Sequence, residues 1–163
     1  QLCYAIGKKM GLSSSRLNGM KIIGAVHDVG KIEIPMEILN KPGEIREKEF
    51  ELIKEHPKTG YKILQKIDFK GWPIAEAVLQ HHEKVDGSGY PTGIEGKDIM
   101  LEARIVTVAD IVEAISSHRP YRPALGIDTA LEEIEKLRGT KLDPQVVDSC
   151  LKLFREDNFS FKE

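Results

Sequence analysis

The sequence predicts an all-α fold, a single helical bundle. Almost every segment of the 163 residues sets its apolar side chains at helical spacing, and no stretch shows a convincing strand alternation. Serines, glycines and prolines also fall where helices begin and end.

The opening LCYAIGKKMGL places Leu2, Ile6 and Met10 on one face. Ser13 to Ser15 offer an N-cap for a second helix. Along that helix Leu17, Met20, Gly24 and His27 share a stripe, so His27 is expected to face inward. Gly24, one turn before His27, removes a side chain and is expected to leave room for a ligand. Gly30 is expected to close the helix as its C′ residue, with Pro35 preventing a restart. After a loop through NKPGE, a helix bearing Phe50 and Ile53 is expected to end at His56, because Pro57 follows.

A short helix from Pro57 to about Lys66 stacks Tyr61 and Leu64. Trp72-Pro73 interrupts the chain, and the next helix packs Ile74, Val78, His81 and His82. Residues 85–98 hold four glycines and a proline and read as a loop. A long helix from about Leu101 to Ser117 carries Ala103, Val106, Asp110 and Ala114 on one stripe, small neighbours that let another helix approach. Two last helices follow RPYRPALG, with Asp128 and Asp143 as expected N-caps and Pro144 at the first helical position.

A chain of this length reads as one domain that buries roughly two-thirds of its unfolded surface. The net charge of −2 excludes a polyanion-wrapping surface, so no nucleic-acid polymer is expected as partner. A small phosphorylated ligand held by local cations is compatible with it. No apolar run reaches the ~20 residues of a membrane span, and no signal-peptide pattern opens the chain. Cys3 and Cys150, without repeated spacing, read as reduced thiols and not a disulfide, in keeping with a cytoplasmic setting. The charge run REKEFELIKE reads as a solvated helix face.

Four of the five histidines sit in three segments beside groups that metal chemistry uses. They are His27 with Asp28 in AVHDVGK, His56 in KEHPKTG, and His81-His82 in LQHHEKVDGSGYP. Asp110 adds a carboxylate within the apolar VTVADIVEA. Imidazoles mixed with a few carboxylates suit iron or manganese better than magnesium or calcium. Six such groups exceed the needs of one tetrahedral zinc and are about right for two metals. Adjacent residues on a helix point about 100° apart, so His27 and Asp28 can serve different ions, or Asp28 can bridge both; His81 and His82 have the same option. A bridge of this kind holds ions ~3.5–4 Å apart, the separation used for in-line displacement at phosphorus. Taken singly, each residue has a plainer reading. An inward histidine can be a hydrogen-bonded core residue, and Asp110 can be satisfied by an arginine, Arg104 being near in sequence. His118 lies outside the pattern and reads as surface or substrate rim.

HDVGK at residues 27–31 resembles the HD phosphohydrolase superfamily, and HHEKVDGSGYP with VADIVEAISSHRPYR resembles its HD-GYP branch. The resemblance runs over essentially the whole chain. It implies an all-helical bacterial phosphodiesterase that binds two or three iron or manganese ions and hydrolyses cyclic di-GMP to pGpG, in some members onward to GMP. It carries metal ligation to His27, Asp28, His56, His81, His82 and Asp110, and a phosphate-side lysine to Lys31. The GYP triplet is Gly89, Tyr90 and Pro91, expected to touch substrate or a partner domain, and Arg119 and Arg122 are expected to hold phosphates. The family places another histidine ligand, sometimes with a glutamate, before position 1 of this sequence. The fragment is therefore expected to load metal poorly and to be an N-terminally truncated domain spanning 1–163. The family also implies an upstream receiver or sensory domain and docking of GGDEF-type domains through the GYP loop. Competing readings are an HD hydrolase of another cyclic dinucleotide or nucleotide, a non-catalytic cyclic di-GMP or GGDEF-domain binding module, and a di-iron oxygenase.

Overall fold

The computed structural model describes residues 1–117 and 124–161. Its described residues form nine α-helices in chain order: α1 (Leu2–Lys9), α2 (Ser14–Val26), α3 (Met36–Leu39), α4 (Glu47–Ile53), α5 (His56–Leu64), α6 (Ile74–Gln80), α7 (Leu101–Ser116), α8 (Ile127–Leu137) and α9 (Pro144–Arg155). Two 3-10 turns, Val29–Glu33 and Gly96–Asp98, join them. The expected all-α architecture is what the chain adopts.

Helix α7 is the axis of the bundle. Ala103, Ile105, Val106, Thr107, Val108, Ala109 and Val112 are all buried, so the helix is covered on nearly every side, as a core helix must be. It packs against α1, α2, α6, α8 and α9. Ile6, Met20, Ile23, Ile74, Val78, Ile134, Val146 and Val147 fill the space around it. Helix α9 starts as predicted: the Asp143 carboxylate accepts from the N–H groups of Gln145 and Val146, with Pro144 at the first turn. Ser13 caps α2 by accepting from Arg16 N–H.

Several local expectations are corrected. Gly30 does not end α2; that helix stops at Val26, with His27 as C-cap, and Gly30 lies inside the following 3-10 turn. A glycine stands there because a Cβ would lie 1.9 Å from the His56 carbonyl oxygen and 2.6 Å from Gly60 N. The turn thus packs backbone to backbone on α5. His56 does not end the helix of Phe50; α4 stops at Ile53 and His56 opens α5, because a proline is welcome in a first turn whose N–H groups have no helical partner. Asp128 lies within the first turn of α8, and Gly126, at φ 87°, is the N-cap. Arg104 pairs with the α9 cap Asp143 at 2.5 Å and not with Asp110. The space beside Gly24 is taken by Cys3 of α1, whose Sγ would sit 3.5 Å from a Cβ there. Cys3 and Cys150 are both free thiols.

Candidate metal centre

Each chemistry-bearing side chain is delivered by the end of an element. His27 and Asp28 follow α2, His56 opens α5, and His81 and His82 follow α6. Asp110 is the exception, set in mid-α7. At helix ends the carbonyls of the last turn lack N–H partners, and three of the imidazoles use such groups or their equivalents. His27 Nδ1 lies 3.0 Å from Gly24 O, His56 Nδ1 2.7 Å from Ile53 O, and His81 Nδ1 2.6 Å from Val78 O. A ring nitrogen facing a carbonyl donates its N–H, so in the neutral ring Nε2 is left as a lone pair. Gly24 therefore serves this site through its carbonyl.

Those lone pairs converge. His56 Nε2 and His81 Nε2 are 3.2 Å apart, and the two residues are 1 % and 0 % exposed. Asp28 Oδ1 stands 3.3 Å from His56 Nε2 and 3.9 Å from His81 Nε2. Donor atoms of Asp28, His56, His81 and His82 all lie within 4.8 Å of one another. The other Asp28 oxygen, Oδ2, faces His27 Nε2 at 3.6 Å, and His27 Nε2 is in turn 3.8 Å from Asp110 Oδ1. One carboxylate thus has an oxygen toward each of two donor groups. Two unprotonated nitrogens at contact distance repel unless a cation lies between them, so this donor set fits a divalent metal. Of the six sequence-predicted candidates, Asp28, His56, His81 and His82 form one cluster, His27 adjoins it through Asp28, and Asp110 adjoins it through His27.

For His81, His82, Asp28 and Asp110 electrostatics favours the metal-ready protonation state. Burial lowers His81 to about 4 and, reinforced by the charge of His81, pushes His82 well below the ordinary histidine value. Burial would raise Asp28, but contacts with His56, His27 and Lys31 outweigh it and hold the carboxyl far below its usual range. Asp110, likewise raised by burial and lowered more by His27 and His82, ends at about 2. Burial also opposes charge on His27, yet Asp110 and Asp28 together raise it.

Lys31, on the 3-10 turn, donates to Asp28 Oδ2 at 2.5 Å. Tyr90 lies stacked on His82, ring centroids 4.7 Å apart at 27°, and meets Phe50 edge to face at 6.4 Å. Burial and the nearby Asp110 and Asp28 charges push its hydroxyl up, so it stays protonated. Gly89 folds onto the preceding backbone, where a Cβ would be 2.4 Å from Glu83 Cα. Pro91 follows Tyr90 through a cis peptide. Arg119, Arg122 and His118 lie outside the described residues.

Sequence reasoning passed over three supports. Thr107 donates its hydroxyl to His81 O at 2.6 Å and so ties the end of α6 to α7. Gln80 accepts from Met100 N–H at 2.8 Å. Glu83, buried at 2 % exposure, gathers donors from Thr92 and Gly93. A glutamate directly after paired histidines was the available signal for the last; Thr107 gave none, because threonine on an apolar helix face is common.

The sequence profile described as "HD domain" matches residues 1–146. The chain is 40% identical over 148 residues to the cyclic di-GMP phosphodiesterase response regulator RpfG of Xanthomonas campestris, covering 90% of this chain and 39% of that protein. It is 40% identical over 152 residues to a cyclic di-GMP phosphodiesterase of Thermotoga maritima, covering 93% and 41%. A 3'3'-cGAMP-specific phosphodiesterase 1 of Vibrio cholerae is 36% identical over 149 residues, covering 91% and 34%. The chain thus spans about two-fifths or less of the length of these relatives. Among solved structures, Bd1817, an HDG"Y"P protein of Bdellovibrio bacteriovorus, matches with TM-score 0.75 at 19% identity, over 94% of this chain and 49% of that one.

Proposed function

Since this chain belongs to the HD domain family, in its HD-GYP branch, we propose that it is a metal-dependent phosphodiesterase that opens cyclic di-GMP to linear pGpG. The observation that carries the reading is the pair of buried Nε2 lone pairs 3.2 Å apart beside a shared aspartate, with a lysine ammonium on that aspartate's other oxygen. A cation cage alone would fit several chemistries; a cage with an adjacent lysine ammonium fits phosphoryl transfer, where charge must be balanced on the reacting group.

His27, Asp28, His56, His81, His82 and Asp110 would hold two divalent ions, iron or manganese by the mixture of imidazole and carboxylate. Bound there, such ions supply Lewis-acid stabilisation of phosphoryl charge and a more acidic water. Asp28 stays ionised through the working pH range and, among the described residues, has an oxygen toward each donor group. Lys31 is partly exposed, so its ammonium can turn from Asp28 to a non-bridging phosphoryl oxygen. The oxygen of water joins phosphorus, the P–O3′ bond breaks, and the 3′-oxygen departs as a hydroxyl after taking a proton. Lys31 is the nearest described ammonium for either service. Tyr90 forms a wall beside His82 against which the substrate rests, and Arg119 and Arg122 would hold its phosphates. Upstream sensory domains and GGDEF-type partners belong to this same reading.

A second reading keeps the reaction and changes the substrate, favoured by the 36% identical relative specific for 3'3'-cGAMP. The test is product analysis on cyclic di-GMP, 3'3'-cGAMP and a linear dinucleotide, with and without chelator. Chelator-sensitive formation of pGpG supports the proposal. Preference for 3'3'-cGAMP supports the second reading, and binding without turnover sinks both.

A further inference from the structure

Glu83 follows the paired histidines directly and is 2 % exposed. Burying a carboxylate is costly unless its oxygens are fully served. Here they are served by neutral donors of one short turn. Oε1 accepts from Thr92 N–H at 2.7 Å, from the Thr92 hydroxyl at 2.6 Å and from Gly93 N–H at 3.2 Å. Oε2 accepts from Gly93 N–H at 3.0 Å. The loop is tied at its other side by Tyr90 N–H, 3.3 Å from His82 O. Just before Tyr90 the loop backbone closes on Glu83 itself, since a Cβ at Gly89 would strike Glu83 Cα and Lys84 N, both at 2.4 Å. Tyr90 is therefore held between two anchors, its ring flat on His82.

We infer that Glu83 is the positioning residue of the 87–93 loop, its carboxylate fixing Thr92 and Gly93 so that Tyr90 lies against the imidazole of His82. Hydrogen bonds to a charged acceptor are about twice as strong as neutral ones, which suits an anchor that must hold a glycine-rich turn. Glu83 points at the loop and not into the donor cluster, so its work is done through Tyr90. A glutamine in its place keeps the volume but cannot serve all four contacts. With its oxygen at the Oε1 position, its amide would face Gly93 N–H, donor against donor.

This inference rests on the functional reading only for its kinetic consequence; the tether itself is read separately. Hydrogen exchange of the 87–93 amides in wild type and Glu83→Gln measures the anchor without any substrate. Exchange at Thr92 and Gly93 is expected to rise by about tenfold or more, and unchanged exchange overturns the inference. A kinetic double-mutant cycle with Tyr90→Ala then asks what the anchor is for. Each single variant is expected to lower kcat/KM for cyclic di-GMP by about ten- to hundredfold, the range seen for residues supporting a site. Metal content should not change, and the double variant should be no worse than Tyr90→Ala alone. Losses that multiply, or metal lost in step with activity, would overturn the role through Tyr90. Thr92→Val removes one donor without touching the buried charge and should show a smaller loss of the same sign. If exchange rises as expected while wild type cleaves nothing, the positioning role of Glu83 stands and the phosphodiesterase reading falls.

Discussion

The imidazole of His81 shows how burial prepares a ligand. Fully enclosed, with Nδ1 spent on Val78 O, it can offer only a neutral Nε2, and its pKa of about 4 keeps it so. The same burial has a cost in acid. In an unfolded chain this histidine takes a proton as pH falls through about 6.5, while the folded one refuses it until about 4. Stability of the metal-free protein is thus lost over that interval, by at most about 3 kcal/mol from this group. His82 acts in the same direction. His27, raised, acts oppositely: its contribution is present below its unfolded pKa and fades as pH rises through the folded one. With His81 held down to about 4, chelator-treated protein should melt at lower temperature at pH 5 than at pH 7; a higher melting point at pH 5 would contradict the assignment. Asp28→Ala removes the carboxylate that faces both donor groups and should abolish turnover in metal-replete protein. Wild-type activity in that variant would exclude the shared role.

At the scale of elements, the site depends on how closely the 3-10 turn 29–33 and the ends of α5 and α6 can approach. Gly30 permits that contact, and the 1.9 Å clash of any Cβ with a backbone oxygen leaves no flexible neighbour to yield. Gly30→Ala should destabilise by about 2 kcal/mol or more, as an overpacked core does, and should weaken metal binding by parting Asp28 from His56. A urea midpoint equal to wild type would refute the packing argument. Thr107→Val, which unties α6 from α7, should cost about 1–3 kcal/mol because His81 O is buried, again read by urea denaturation. The helices themselves were legible: their 3.6-residue period, the Ser13 and Asp143 caps and the Pro144 start all stand where predicted. Boundaries next to the site were not. Gly30 looked like a C′ glycine and Pro57 like a terminator because each residue has two uses. Which use applies depends on a neighbouring helix that sequence spacing does not show.

Across the molecule, the ligand types were legible but their meeting was not. Histidine and aspartate in four segments announced metal chemistry; their convergence is a property of α2, α5, α6 and α7 packing on one another. The partner of Arg104 was missed for the same reason, since Asp143 is 39 positions away. Family likeness spans most of this chain but only 39% and 41% of two cyclic di-GMP phosphodiesterases, so the likeness is that of one domain. On the proposed reading these side chains form one cage for catalytic cations. Metal analysis of the natural protein, purified anaerobically and assayed in parallel on cyclic di-GMP, tests it most directly. About two equivalents of iron or manganese per chain are expected, lost with chelator and restored together with pGpG formation. Full cleavage activity in protein stripped of metal would contradict it.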